Sequence, residues 1–296
     1  MPTAVRRLPS APGVYRFRDE TGRALYIGRA THLRSRVASY WSDLRDRPRL
    51  RRMMPLVTTI EAVECQSVHE AAWLERNLLV RRKPRWNRTR GGQESTVHIG
   101  LDDAPAAPGV RVSHRPSPGC FGPYLGGDRT RAAVSALHRV RPLQYTSSKL
   151  GGAERDMAAK RGVTPDDREP MAASLRAILS GDPSAVAAAV ADLERLRDRA
   201  SADLRFETAA AIHEEMQALA WLTSPQRAAT LEPAEWRAAG FADGLLVLFR
   251  MRAGRLDEWT QRPSTPRLAA RYLAETPEEW RGFAQTNAEL AVLLRG

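Results

Sequence analysis

The stretch from Pro12 to Gly28 constrains the fold of this chain more than any other. Its two halves, GVYRFR and ALYIG, are rich in β-branched and aromatic residues, and DETG between them has the composition of a turn. A four-residue loop places Tyr15 opposite Tyr26, and cross-strand partners project from the same face of a sheet. The segment therefore predicts a β-hairpin that presents two phenols together, either as ordinary aromatic packing or as part of a site.

The segments after this hairpin predict a small mixed domain. A helix is indicated by apolar residues at helical spacing in ATHLRSRVASYW, and a third strand by the alternation in LVTTIEAVEC. A second helix is predicted in SVHEAAWLERNLLVRRKP, because Ser67 and Glu70 form a capping box and Pro84 follows the apolar periodicity. The first hundred residues therefore predict the order β-β-α-β-α.

The rest of the chain predicts a mostly helical region and a second small sheet. Residues 101–109, LDDAPAAPG, have the composition of a linker. Residues 183–222 have almost unbroken helical periodicity, which predicts a helical hairpin, and a strand pair around Gly254 precedes a final helix. We therefore expect an α+β fold with four parts: a domain at 1–100, a linker and middle region at 101–182, a helical hairpin at 183–224, and a C-terminal segment at 225–296.

Positive charge is concentrated in the N-terminal third. Residues 1–90 contain 20 Lys and Arg against 8 Asp and Glu, whereas the rest of the chain contains 26 of each. A localised excess indicates a surface that binds a polyanion, while a generally arginine-rich composition would spread the charge along the chain. We expect nucleic acid to contact the basic side chains of this third, namely Arg34, Arg49, Arg51, Arg52, Arg81, Arg82, Lys83 and Arg85.

The composition argues against a membrane or secreted protein. No apolar run approaches the roughly 18 residues that a membrane span needs, and the first residues lack the apolar segment of a signal peptide. Two cysteines, Cys65 and Cys120, cannot form a disulfide framework or a four-thiolate metal site. The sequence therefore predicts a cytoplasmic protein without a membrane partner.

Glu75 is the unusual residue of the second predicted helix. It shares the helical face of Leu74, Leu78 and Leu79, where an ionised carboxylate is costly unless it is paired or bound to a metal. One interpretation is that Glu75 lies at the edge of this face and bonds an arginine such as Arg36. The other is a ligand for a hard cation such as Mg²⁺, which takes one or two protein carboxylates together with water and phosphate oxygens.

Arg36 and Tyr40 are four residues apart on the first predicted helix and therefore share a face. A guanidinium offers phosphate a planar fork of donors, although an exposed surface charge is the alternative for Arg36. Hydrolysis of a phosphodiester needs a base for water, a cation that neutralises the developing charge, and a metal. Two tyrosines, an Arg–Tyr pair and a half-buried glutamate in a basic domain match those needs.

Together these residues resemble the GIY-YIG nucleases, and in particular the N-terminal half of UvrC-type excision-repair nucleases. GVY at residues 13–15 and YIG at 26–28 match the two family motifs. The segments FGPY and LRFETAAAIHEEMQAL resemble later parts of UvrC, the second being similar to the helical hairpin that contacts UvrB. The remaining family positions are matched by Arg36, Tyr40, Glu75 and Asn87.

The resemblance implies a metal-dependent DNA endonuclease that makes a single incision in DNA repair, with damaged or branched DNA as substrate and a UvrB-like helicase as partner. In that assignment Tyr26 is the general base or the relay to one, and Tyr15 orders the water or the phosphate. Arg29, Arg36 and the bound metal are expected to lower the pKa of the phenol, whose ordinary value is about 10.

The same resemblance implies roles for the other residues of the set. Glu75 holds Mg²⁺ or Mn²⁺, Arg36 clamps the scissile phosphate, and Asn87 orients Tyr26 or lines the site. In the UVR-like hairpin, Leu204 and Phe206 form an apolar pair at the tip that is suited to docking against a partner, the alternative being packing within the chain.

The sequence also departs from the family. Arg29 replaces the lysine that follows YIG, and the cysteine cluster of many UvrC proteins is missing, so no iron–sulfur cluster is expected. No match to the RNase H-like second nuclease is found, so the layout resembles short relatives of the Cho type. Two alternatives follow: a non-catalytic adaptor that binds DNA or UvrB, and a UvrB-independent nuclease acting on crosslinked or branched DNA.

Overall fold

The computed structural model describes residues 2–42, 44–45, 47–90 and 94–295. Two compact units are present, one formed by residues 1–93 together with 225–296 and the other by residues 94–224. Each unit combines helices with small antiparallel sheets, which confirms the predicted α+β class. Within the described ranges, no helix combines the length and apolar character that a bilayer crossing requires.

The first sheet of the first unit has the strand order β2-β1-β3, with all neighbours antiparallel. Strand β1 is central and is buried along almost its whole length, because its side chains face packed elements on both sides of the sheet. The three strands are β1 (Gly13–Arg18), β2 (Ala24–Ala30) and β3 (Thr59–Glu64).

The predicted hairpin forms, but the predicted register is wrong. Tyr15 pairs with Gly28, and Tyr26 pairs with Phe17. Arg18 pairs with Ala24 instead of Arg23, so the loop, in which the Asp19 carboxylate accepts bonds, is one residue longer than predicted. An irregularity between Phe17 and Arg18 adds one more residue, and the register beyond it therefore differs from the prediction by two. A shift of two residues keeps every side chain on its face, so both phenols still lie on the same side of the sheet.

Four helices belong to the N-terminal part of this unit. The predicted capping of α4 is present, since the Ser67 hydroxyl accepts a hydrogen bond from the Glu70 amide at 3.0 Å. The helix ends at Arg81, three residues before Pro84. The four helices are α1 (Thr3–Arg7), α2 (Leu33–Ala38, continued by a 3₁₀ turn at Ser39–Trp41), α3 (Pro48–Met53) and α4 (Val68–Arg81).

The C-terminal part of the first unit contains the predicted strand pair, which turns at Gly254 with a positive φ of 71°. A further strand precedes this pair, giving the sheet order β7-β8-β9. The elements are β7 (Trp236–Ala242), β8 (Leu245–Arg252), β9 (Arg255–Pro263), α10 (Pro266–Ala274) and α11 (Glu278–Arg295).

Residues 225–296 complete the core of the N-terminal sheet, in contrast to the separate segment expected from the sequence. The indole of Trp259 on β9 lies 4.1 Å from the Arg16 guanidinium, on the face of β1 opposite the tyrosines. Leu290 and Leu294 of α11 join the same apolar cluster as Tyr15. Residues 225–296 therefore help to cover both faces of the sheet, with Trp259 on the Arg16 face and Leu290 and Leu294 on the tyrosine face.

Helix α11 also closes the edge of β3. The side-chain amide of Asn287 accepts a hydrogen bond from the Glu64 N–H at 2.7 Å and donates to the Glu64 carbonyl at 3.2 Å. Asn287 is 1% exposed, so the bonds lie away from water. One buried side chain therefore satisfies both backbone groups of an edge residue.

In its described residues the second unit combines five helices with the sheet β5-β4-β6. The segment that composition predicts as a linker, residues 101–109, instead ends β4 and turns into β5. Its Pro and Gly residues serve a hairpin loop rather than a boundary. The elements are β4 (Thr96–Asp102), β5 (Gly109–Ser113), β6 (Phe121–Leu125), α5 (Gly127–Val140), α6 (Gly152–Arg161), α7 (Arg168–Leu179), α8 (Pro183–Ala202) and α9 (Phe206–Leu222). Helices α5 and α7 contact the strands, and α8 and α9 pack on α5.

The predicted helical hairpin is formed by α8 and α9. Helix α9 is anchored to α5 by an ion pair in which Arg139 Nε lies 2.6 Å from Glu215 Oε2. The tip of the hairpin points away from this anchor: Leu204 is 73% exposed and Phe206 is 64% exposed. The packing alternative for Phe206 is therefore not observed within the described residues.

Candidate active site

A cleft of about 670 Å³ opens on the tyrosine face of the first sheet. Strands β1 and β2 contribute one wall, α2 with its 3₁₀ turn a second, and α4 a third. Five of the residues predicted from the sequence line it, whereas Tyr40 and Asn87 lie behind its wall. The lining consists of Tyr15, Tyr26, Gly28, Arg29, Ala30, Thr31, His32, Ser35, Arg36, Ser39, Val68 and Glu75.

The two tyrosines approach each other across Gly28. Their ring centroids are 6.2 Å apart. A Cβ atom on Gly28 would lie 2.6 Å from Tyr15 Cζ and 2.8 Å from Tyr26 Cε1, distances that real side chains do not adopt. Position 28 therefore requires a glycine, because the Tyr15 ring lies directly over the backbone of this residue.

Tyr15 is fixed from behind by Tyr40. Their hydroxyl oxygens are 2.6 Å apart in a buried hydrogen bond. The Arg36 guanidinium lies 5.4 Å from the centre of the Tyr40 ring. Burial acts to lower the pKa of Arg36, but the neighbouring phenols outweigh it and raise that pKa. Arg36 is therefore a fixed cation at the wall of the cleft.

The expectation that nearby cations lower the pKa of Tyr26 is wrong for the chain by itself. Burial raises this pKa well above its ordinary value, and Tyr40 and the Glu75 carboxylate raise it further. Arg36 acts in the lowering direction but is outweighed. Burial of Tyr15 likewise raises the pKa of its phenol. Both hydroxyls are therefore protonated at neutral pH in the absence of a further cation.

Glu75 combines the two interpretations made from the sequence. Its side chain is 22% exposed and lines the cleft, and its Oε2 lies 3.5 Å from Arg29 Nε. The arginine partner is thus Arg29 rather than Arg36. The fully buried carboxylate of α4 is Glu70, which accepts bonds from the Gln66 amide and from Arg227.

The donor set of the cleft fits a single hard cation. Across the described ranges, no group of three His, Cys, Asp or Glu side chains is placed to hold a metal ion. Glu75 nevertheless offers one carboxylate that faces open space, and Mg²⁺ commonly binds through one carboxylate, water and substrate phosphate. A metal bound at Glu75 would share this carboxylate with the guanidinium of Arg29.

Asn87 acts on the backbone of β2 rather than on the cleft. Its side chain accepts a hydrogen bond from the Ile27 N–H at 3.0 Å and donates to the Ile27 carbonyl at 2.7 Å. Lys83 Nζ donates in turn to the Asn87 carbonyl at 2.9 Å. Because Ile27 follows Tyr26, this contact fixes the strand that carries the phenol.

The basic residues predicted to bind nucleic acid are mostly exposed, but they are not equally available. Arg81 is paired with Asp257 at 3.2 Å and with Glu258 at 3.1 Å, both on β9. Arg34 donates to the Leu8 carbonyl, and Arg49 donates to the Arg85 carbonyl. Lys83 donates to the Asn87 carbonyl. The other exposed residues of the set are Arg51, Arg52, Arg82 and Arg85.

Sequence reasoning missed four polar residues of the cleft, Thr31, His32, Ser35 and Ser39. A signal was available, because His32 lies four residues before Arg36 and Ser39 lies three after it, which places them on one helical side. Their small or polar side chains leave the cleft open next to Arg36.

A glycine-flanked pair of tyrosines on a hairpin, an arginine on the next helix and a glutamate on the helix after that define a GIY-YIG domain. Residues 11–88 match the family model described as the UvrC-like GIY-YIG domain. This part of the chain is therefore a UvrC-like GIY-YIG domain, and the resemblance inferred from its motifs is confirmed.

Similarity to proteins of this kind extends along the chain. UvrABC system protein C of Brucella abortus biovar 1 (strain 9-941) is 31% identical over 281 residues, which cover 89% of this chain and 44% of that protein. UvrABC system protein C of Syntrophomonas wolfei subsp. wolfei is 28% identical over 280 residues, covering 88% of this chain and 46% of that protein. The chain thus spans less than half the length of these relatives.

A solved structure is also similar to the N-terminal part. It is the GIY-YIG N-terminal endonuclease domain of UvrC from Thermotoga maritima, bound to its catalytic divalent cation, magnesium. The sequence identity is 29%, with coverage of 30% of this chain and all of that chain, and the TM-score is 0.27.

Proposed function

We propose that this chain is a metal-dependent DNA endonuclease that makes a single incision in excision repair. The observation that carries the proposal is the cleft in which Tyr15, Tyr26, Arg29, Arg36 and Glu75 converge. The excess of positive charge on the same third of the chain supports DNA as the substrate. The names of the relatives, UvrABC system protein C, support excision repair as the setting.

Each side chain of the cleft has a task that its surroundings suit. Arg36 lies against the Tyr40 ring and lines the cleft beside Tyr15, so its donors are placed for the non-bridging oxygens of a phosphate. Tyr26 is half-buried and protonated, so its hydroxyl orients the attacking water and relays its proton. Arg29 stabilises charge on the phosphate from the side of Glu75.

The metal belongs at Glu75. A bound Mg²⁺ or Mn²⁺ would supply positive charge to the leaving group and would offset the effect of the Glu75 carboxylate on the Tyr26 pKa. Neutralising that carboxylate would lower the pKa of Tyr26 and favour loss of its phenolic proton to bulk water, and the resulting phenolate oxygen can then accept a proton from the attacking water. Magnesium is the cation named for the Thermotoga maritima domain.

Replacing Glu75 by Gln tests the proposal. The amide keeps the size of the side chain but removes its charge, so we expect the rate of DNA nicking to fall roughly 10²–10³-fold. Duplex binding should be retained, because the variant removes a negative charge from the cleft. The measurement is nicking of a branched or lesion-bearing duplex with and without Mg²⁺, beside an affinity measurement on the same DNA.

The matched control is Glu278→Gln, which alters an exposed glutamate at the start of α11. It should nick like the parent chain. Parent-like nicking by Glu75→Gln would contradict the assignment of Glu75, and nicking without any divalent cation would contradict the metal dependence.

We propose further that the tip of the α8–α9 hairpin docks against a UvrB-like helicase. Leu204 and Phe206 are the two most exposed of the large apolar side chains in the part of the chain that the structure describes. Arg205 lies between them and pairs with Asp203, giving the apolar tip a polar border. An apolar anchor with a polar rim is the usual anatomy of a docking site.

Phe206→Ala separates docking from folding. An exposed anchor contributes little to the fold, so the free energy of unfolding should change by less than about 0.5 kcal/mol. Loss of an interface anchor should weaken UvrB binding roughly 5- to 30-fold. The readouts are thermal unfolding and titration with purified UvrB. Leu196→Ala, on α8 and 38% exposed, is the control that should leave both unchanged. Unaltered UvrB affinity in the Phe206 variant would contradict docking at the tip.

A further inference from the structure

A second cleft lies on β2 beyond the catalytic tyrosine. Its volume is about 500 Å³, and it lies between the β1–β2 turn, residues 55–58 and the Arg85–Trp86 segment. Ala24 and Leu25 of β2 form its floor, whereas Tyr26 and Gly28 of the same strand line the candidate active site. We call it the Trp86 cleft.

Its walls combine apolar and aromatic surface with polar residues of the β1–β2 turn, among them Asp19, Glu20 and Arg23. The Trp86 indole is half-buried and packs on the core of the first sheet, so the ring is fixed in place. Pro55 and Leu56 contribute aliphatic surface, and Leu56 is 46% exposed although it is a large apolar side chain. A fixed indole beside exposed aliphatic atoms suits a flat, weakly polar ring.

The rim of the cleft is basic on the Arg85 side, whereas the side of the β1–β2 turn carries Asp19 and Glu20 together with Arg23. The Arg85 guanidinium lies 5.6 Å from the centre of the Trp86 ring. Arg49 donates to the Arg85 carbonyl at 3.0 Å, which brings a second exposed cation to this rim. A ring that enters the cleft would therefore find cations suited to an attached phosphate. Nucleotides combine a flat ring with a phosphate.

The cleft and the candidate active site share one rigid strand. The Trp86 N–H donates to the Leu25 carbonyl at 3.2 Å, and Asn87 binds both backbone groups of Ile27. From Leu25 to Gly28 the strand advances three residues, or about 10 Å. A stacked DNA strand rises about 3.4 Å per nucleotide, so the two clefts are separated by about three nucleotides.

We propose that the Trp86 cleft receives an unstacked base of the DNA, about three nucleotides from the phosphate held at Tyr26. A base inside a duplex is stacked and cannot enter a protein cleft, so the proposal predicts preference for DNA in which one base is already unpaired or loosened. The proposal rests on the proposed nuclease function for its substrate, but it concerns binding and can be tested without incision.

The test measures coupling between Trp86 and single bases. The full chain carrying Glu75→Gln, which is not expected to cut, is titrated without divalent cation against branched duplexes whose junction fixes the register. Each duplex lacks one base, at successive positions along either strand. Trp86→Leu and Trp86→Phe are introduced in the same background, because Phe keeps an aromatic face and Leu does not.

One position should respond to both changes. Removing the base there should weaken binding by the Glu75→Gln parent and by Trp86→Phe roughly 5- to 150-fold, the range expected for one stacked base. Trp86→Leu should bind the intact duplex as weakly as the parent binds the base-less one, with no further loss when the base is removed. Independent, additive losses at every position would overturn the proposal.

Leu56→Ala provides a second variant, since an exposed side chain can be truncated without endangering the fold. It should reduce the effect of the same missing base, while Leu231→Ala, 41% exposed and outside the cleft, should not. If the missing base affected DNA binding equally in Leu56→Ala and Leu231→Ala, the proposal would also be overturned. If the unmodified chain failed to nick DNA but the coupling were found, the nuclease function alone would be contradicted.

Discussion

Gly28→Ala is expected to reduce DNA nicking roughly 10³-fold or more. The added Cβ would lie 2.6 Å from Tyr15 Cζ and 2.8 Å from Tyr26 Cε1, so both rings must move. Displacing a reacting group by about 1 Å commonly costs 10²-fold in rate, and here Tyr15 also loses its 2.6 Å contact with Tyr40. The measurement is the single-turnover nicking rate, with the affinity for the same duplex measured in parallel.

Gly100→Ala is the control for this substitution. Gly100 also lies in a β-strand, but a Cβ there meets no atom within 4 Å. It should nick at the parent rate. Near-UV circular dichroism should report the displaced tyrosines in Gly28→Ala while the secondary structure is retained. A Gly28→Ala variant that nicks normally would mean that the two phenols do not act where the sheet places them.

Trp259→Ala is expected to lower the free energy of unfolding by roughly 3–5 kcal/mol, the usual cost of removing a buried aromatic ring. Trp259 is 2% exposed and covers the guanidinium of Arg16 at 4.1 Å. Burial lowers the pKa of Arg16 to about 10, against the effect of its Glu61 partner. Removing the indole leaves this cation above a cavity. Urea unfolding of the full chain, followed by circular dichroism, measures the loss.

Trp259→Phe is the matched variant, because it keeps a ring over Arg16. The indole Nε1 makes no hydrogen bond to any described residue, so its loss should add little. We expect Phe to recover more than half of the stability that Ala loses. Nicking activity should be lost at the urea concentration at which the β7–β9 sheet unfolds, since the active site and this sheet belong to one compact unit. Nicking that survives after this sheet has unfolded would contradict the shared core.

The elements predicted well are those whose signals are local. The hairpin of β1 and β2, helix α4 with its cap at Ser67, and the α8–α9 pair each follow from patterns within about forty residues. The register of the hairpin was not predictable in the same way, because it depends on how Asp19 organises the turn. The strand pair at Gly254 was predicted, but its position against Arg16 was not, since that contact joins residues 243 positions apart.

The candidate site shows the same division. Family spacing identified Tyr15, Tyr26, Arg36 and Glu75, and the fold brings all four to one cleft. The charge state of Tyr26 could not be read from spacing. Its pKa is raised by burial first, then by Tyr40 and the Glu75 carboxylate, and together these outweigh the lowering effect of Arg36.

The two asparagines that bind strand backbones have a consequence for the behaviour of the chain in concentrated solution. Asn87 occupies one outer edge of the β2-β1-β3 sheet, and Asn287 occupies the other. Open strand edges are templates for pairing with other molecules, and a three-stranded sheet has two of them. One side-chain amide at each edge mimics a neighbouring strand for a single residue and stops the ladder there. The sheet is thereby protected against edge-to-edge aggregation, and half of that protection comes from a residue more than two hundred positions from the strands it guards.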